Sequence, residues 1–253
     1  MHARGVSGSK PRLLHLSPVV PATSGNGLAM RAGMVLQMLA GQYDVSLLVV
    51  RLYAPYDTPV PAEIAGVCRD TAILSAERAV PRPAPLRSRV LSKLIGDVLR
   101  WRRPAASHRN NAMRGPCSGP FFDVVHVFRL SMLPFARPYL DRPGATPERH
   151  LDLDDVESST RRRVAALYRL NGNNALARLE EMEAQRSELL ENEVLREFNR
   201  VYVCSQQDKE QLVPHSRAQV CVLPNALPLS DPLPPKGRDG PFIFLFVGTL
   251  GYY

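Results

Sequence analysis

Apolar residues along this chain follow two rhythms. Short runs of four to eight, rich in Val, Leu and Phe, alternate with longer stretches in which apolar positions recur every three to four residues. The first rhythm fits strands buried on both faces and the second fits amphipathic helices. Strands are predicted at residues 13–17, 45–52, 68–74, 124–128 ("VVHVF"), 150–153, 201–204 and 220–223. Helices are predicted at 28–40, 133–140, 158–199 and 206–213, and the run Asn171-Gly172-Asn173-Asn174 breaks the long one in two. Strand and helix in alternation imply an α/β fold, a Rossmann-like parallel sheet flanked by helices.

Two stretches interrupt the alternation. Residues 81–85 and 104–120 are rich in proline and arginine and read as irregular insertions. A third, 224–241, holds six prolines and reads as a linker. After it comes one more buried run, "FIFLFVG", at 242–248. A parallel strand there has no crossover helix after it, so the expected organisation is a domain at 1–224, a linker at 225–241, and at 242–253 only the first strand of a second domain.

Ligands of an open parallel sheet bind beyond the carboxyl ends of its strands. The residues expected along that edge are Ser24, Gly25, Asn26 and Gly27 after the first strand, Arg129 after "VVHVF", and Asp154, Asp155 and Glu157 after "RHLDL". Each has a plainer reading. The glycines suit an ordinary tight turn, and His126 inside a strand suits a core histidine better than a catalytic one. The acids suit the amino end of a helix, although two adjacent carboxylates exceed what capping needs. Ser205 to Asp208 reads as a capping box.

The opening loop lacks the third glycine of a dinucleotide site, with Met30 in its place, and the second strand ends without the required acid. No phosphate-binding G-x-x-x-x-G-K-[ST] and no hydrolase G-x-S-x-G occurs. The four cysteines are scattered, which argues against a zinc site or a disulfide framework and for a reducing compartment.

Net charge is +8, which suits an anionic partner. The excess is local: residues 82–114 hold nine Lys or Arg and a single acid, Asp97. Within them, 86–101 has helical spacing, and the basic stretch 86–103 could lie on an anionic membrane or equally pack on the sheet. Nucleic-acid binding is disfavoured, since no RNP or zinc pattern accompanies the charge. No run approaches 18 apolar residues, and the N-terminal apolar run is short for a signal peptide.

Taken in order, "LLHLSPVVPATSGNGLAMRAGMVLQMLAGQYDVSLLVV", "FDVVHVFRL", "LDLDDVES", "FNRVYVCSQQD", "VCVLPNAL" and "FLFVGTLGYY" resemble the GT-B glycosyltransferases of the family 4 type, in particular sugar transferases of bacterial polysaccharide biosynthesis. The resemblance implies an acceptor-binding N-terminal domain and a nucleotide-sugar-binding second domain, of which this chain carries only the start. It implies a metal-independent, retaining, hexosyltransferase-type reaction in the cytoplasm or at the inner face of the cell membrane. No cofactor is implied; the nucleotide sugar is a co-substrate and the acceptor is a glycan or lipid-linked glycan. Ser24 to Gly27 match the loop near the donor phosphate, His126 and Arg129 the acceptor cleft, and Asp154, Asp155 and Glu157 an acidic loop beside it. Phe128 stands where many members carry a second histidine, and Ala226 replaces the glycine of the usual PNG-type linker. Such a half would have little activity alone. The alternative is a stand-alone membrane-surface module that binds lipid-linked or phosphorylated glycans.

Overall fold

The computed structural model describes residues 9–51, 58–75 and 121–226. The insertions at 81–85 and 104–120, the basic stretch 86–103, most of the linker and the strand at 242–248 lie outside the described residues.

Seven strands form one parallel sheet: β1 (Arg12–Ser17), β2 (Asp44–Arg51), β3 (Asp70–Ser75), β4 (Val124–Phe128), β5 (Glu148–Asp154), β6 (Arg200–Val203) and β7 (Gln219–Val222). Their spatial order is β3-β2-β1-β4-β5-β6-β7, so the chain winds one way to β3 and then returns to build outward from the other side of β1. The reversal leaves a crevice between β1 and β4, the place where open α/β sheets bind ligands. The α/β Rossmann-like class expected from sequence is therefore the class observed. The boundaries move by one or two residues, the third strand starting at Asp70 rather than Cys68.

The helices are α1 (Gly27–Gln42), α2 (Ala62–Ala65), α3 (Leu133–Leu140), α4 (Glu157–Leu170), α5 (Asn174–Glu197) and α6 (Gln206–Leu212). Of these, the one-turn α2 is too short to leave a periodic signal in the sequence. The break between α4 and α5 falls where the asparagine-rich run predicts it. Gly172 takes the left-handed conformation there (φ 74°), and the Asn173 side chain accepts a hydrogen bond from the Leu176 N–H. Ser205 caps α6 by accepting from the Asp208 N–H at 3.1 Å while its hydroxyl donates to the Asp208 carboxylate at 2.5 Å.

The two faces of the sheet differ in kind. Leu14, Leu16, Val125, Val127, Leu151 and Val201 point to one side and build the larger core with α3 and the end of α5. On the other side Leu13, Val45, Leu47 and Val124 meet Val35 and Leu36 of α1 in a smaller core. Further along that second side the strands carry polar residues instead, and these lead to the site.

Candidate functional site

Parallel register sets three histidines in a row across that second side, His15 opposite His126 and His126 opposite His150. All three are buried, at 0%, 1% and 1% exposure. His15 and His126 share one proton between their Nδ1 atoms at 3.0 Å, one ring donating and the other accepting. Tyr202 stacks on His126, with ring centroids 6.0 Å apart, and meets His150 edge-on at 5.8 Å. Burial pushes His15 down to about 3. It also drives His126 well below the ordinary imidazole value, with help from the neighbouring histidines. His126 thus stands inside the sheet as an uncharged core histidine, and its open neighbour at the strand end is Arg129.

Beyond the histidines the row turns acidic. Asp152 is fully buried and its carboxylate accepts from the Arg31 guanidinium of α1 at 2.9 Å. Asp154 stands 3.3 Å from Arg31 Nε and 3.2 Å from Arg129 Nη1, and Asp155 lies 3.7 Å from Arg129. Burial opposes the charge on Arg31, but Asp152 and Asp154 outweigh it and hold the guanidinium above its ordinary value. Burial, with the charge of Asp154 beside it, lifts the Asp155 carboxyl against the pull of Arg129. The Cys204 thiol donates to Asp154 at 2.9 Å, and burial plus that bond push it up.

Arg129 and Asp154 are the two non-glycine residues with positive φ among those described, at 74° and 63°. Such backbone costs of order 1–3 kcal/mol per residue and persists where the surroundings impose it, most often at functional sites. Here it turns both side chains toward one another at the carboxyl ends of the adjacent strands β4 and β5.

The acids after β5 do not cap α4. Its cap position is Val156, which makes no side-chain bond, and the free Ser158 N–H and hydroxyl both go to Glu191 of α5, at 3.0 and 2.5 Å. Glu157 instead pairs with Arg161 at 2.9 Å. With Arg129, Ser131, Asp155, Tyr168 and Glu180 they line a cavity of about 300 Å³. Three carboxylates face two guanidiniums there. A larger cavity of about 780 Å³ sits at the opposite end of the strands, among Asn192, Arg196, His215 and Arg217. Its cations lie at the carbonyl end of α5, which accounts for them without a ligand.

Arg129, Asp154, Asp155 and Glu157 are thus gathered in one place. Ser24, Gly25, Asn26 and Gly27 are exposed across the crevice at the start of α1. Gly25 takes φ 105° and the Asn26 side chain caps α1 through the Ala29 N–H at 2.8 Å. Among the described residues no hydrogen bond joins Ser24, Gly25 or Gly27 to Arg129 or the carboxylates. Four residues escaped the sequence reading: His15, His150, Asp152 and Arg31. Their signal was present, since charged or polar residues at core positions of a strand or helix are uncommon without a partner. Among the described residues no group of three or more His, Cys, Asp or Glu is placed to hold a metal ion.

No family model matches the chain, and no curated protein matches it. Solved structures that resemble it include two of sucrose-phosphate synthase from Thermosynechococcus elongatus, each 16% identical. One covers 85% of this chain and 89% of its own with a TM-score of 0.42; the other covers 85% and 48% with 0.45. The chain spans about half the length of that second structure, and likenesses this distant carry no inference about activity.

Proposed function

We propose that this chain is the acceptor-binding side of a two-domain glycosyltransferase, which passes a sugar from a nucleotide-sugar donor to a glycan or glycolipid acceptor of surface polysaccharide synthesis. The observation that carries the reading is the strained pair, Arg129 and Asp154, beside the β1–β4 crevice. Together with Asp155 it offers an acceptor hydroxyl a carboxylate oxygen to donate to and a guanidinium to accept from. The ordered motifs of the sequence give the same reading, with the donor contacts assigned by resemblance to a second domain.

The neighbouring cavity selects among acceptors. Its volume lies at the low end of small-molecule sites, about that of a single sugar ring with its substituent. Its excess of carboxylates repels phosphate, while its alternating donors and acceptors, with the Tyr168 ring beside them, match a neutral polyol. That charge weighs against the alternative of a module for phosphorylated glycans. Arg129 and Asp155 bind and orient the acceptor, Asp154 fixes Arg129, and Arg31 holds Asp154 from behind. The chemistry of transfer then depends on closure against the donor domain, which excludes water and aligns the reactants.

Saturation-transfer NMR with neutral and phosphorylated glycans tests the reading. Neutral glycans are expected to bind and Arg129→Met to abolish it. Absence of any glycan binding, or preferential binding of a dinucleotide, overturns it. Robust nucleotide-sugar turnover by this chain alone overturns the division of roles between the domains.

A further inference from the structure

We infer that the hairpin of α4 and α5 is a docking surface for an anionic lipid bilayer. The inner side of the hairpin is closed. Ala165, Ala177 and Ala184 are buried between the helices, and Arg162–Glu188 and Arg169–Glu181 lace them at 2.6 and 2.9 Å. With Ser158 bonded to Glu191, those pairs step down α5 as α4 advances, so the two helices run antiparallel. The sheet side of α5 joins the core only near its end, through Val194 and Leu195. Since α4 starts at the carboxyl end of β5 and has 14 residues, the hairpin stands out by about 20 Å at 1.5 Å per residue.

Its outer face is not that of an ordinary solvated helix. Ala166, Leu167 and Leu170 share one apolar face, with Arg163 a turn before them, and all four are exposed, Leu170 to 83%. A stripe with this spacing normally faces a core. Across the turn, Leu176 and Arg178 are exposed as well.

Charge identifies the occupant. At the tip of the hairpin, from Ser158 to Leu179, there are five arginines and no acid, and the seven glutamates of α5 follow only from Glu180 on. Arg161, Arg162 and Arg169 are answered by glutamates of the hairpin. Arg163 and Arg178 have no acidic partner among the described residues, and they flank the exposed leucines. Leucines bracketed by unpaired cations suit the headgroup boundary of an anionic membrane, where apolar side chains insert and cations meet lipid phosphate. A convex tip of about two turns is too small for a stable protein interface, which needs about 800 Å² from each partner. No helix among the described residues is long and apolar enough to cross a membrane, so the contact is peripheral. The same hairpin supplies Arg161, Tyr168 and Glu180 to the cavity wall, which sets that cavity within a hairpin's length of the lipid. The inference itself does not depend on the transferase reading.

Co-sedimentation of the 253-residue chain with phosphatidylcholine vesicles, with and without phosphatidylserine, tests it. Binding is expected to require phosphatidylserine and to weaken in high salt. Leu170→Asp is expected to lower the partition coefficient about tenfold, and Arg163→Gln with Arg178→Gln about fivefold per charge removed. Both variants change exposed side chains, and circular dichroism verifies their folding. No vesicle binding overturns the inference. So does binding that both variants leave unchanged, which assigns the contact elsewhere, such as residues 82–114. Self-association that Leu170→Asp abolishes, without vesicle binding, overturns it in favour of a second copy.

Discussion

Acidification should unfold this protein through its buried histidines. In the unfolded chain each titrates near 6.5, whereas burial holds His15 at about 3 and His126 well below its ordinary value. Between those limits the unfolded chain binds protons that the fold refuses. Stability therefore rises with pH through this window and is lost as pH falls. For His15 alone, the loss between pH 7 and pH 5 is about 2 kcal/mol. His126, equally enclosed, loses stability in the same direction, and the His15 share alone is a sizeable part of a total of about 5–15 kcal/mol. His150, lowered by burial against the pull of Glu148, adds in the same direction. Asp152, Asp155 and Glu191, raised chiefly by burial, take up protons more readily when folded and offset part of the loss toward pH 5. Urea unfolding at pH 7, 6 and 5 measures the slope. His15→Gln should remove about 2 kcal/mol of that loss, whatever its effect at pH 7. A stability that stays flat from pH 7 to 5, or a His15→Gln variant with the parent's slope, refutes the reasoning.

Three further outcomes follow from other contacts. Arg31→Met leaves Asp152 buried without its counter-ion and should cost about 3–5 kcal/mol in chemical denaturation, most of it recovered when Asp152→Leu is added. Gly33→Ala puts a Cβ 2.2 Å from the Ala22 carbonyl oxygen, so α1 must move off the opening loop, and the melting temperature should drop by the equivalent of about 1–3 kcal/mol. Arg129→Gly relieves the positive φ and should stabilise the fold by about 1 kcal/mol in thermal melts while abolishing glycan binding by NMR.

The sheet was legible in the sequence because parallel strands buried on both faces leave unbroken apolar runs, and "VVHVF" is such a run. The break after Leu170 was legible because Gly and Asn announce a left-handed turn. The carboxyl-edge residues could be named by following each strand. Their partners could not, because ion pairs across the sheet join residues 121 positions apart, as Arg31 and Asp152 are. A capping role for Asp154 and Asp155 stayed open beside the functional one because local sequence shows only what lies within a turn. The bond that replaces the cap comes from Glu191, 33 residues away. His15 and His150 share strand parity with His126, and only the register between strands reveals that the three are neighbours.

Arg31 has one more bond to give. Its Nη1 donates at 2.9 Å both to the Leu223 carbonyl and to the Asn225 side chain, and the Ala226 N–H reaches Met34 Sδ at 3.3 Å. The chain leaving β7 is thereby pinned to α1 by the same guanidinium that grips Asp152 and Asp154. Residues 223 to 226 are thus held by the charge balance of the carboxylate cluster, and neutralising Asp152 or Asp154 is felt directly at the exit from β7.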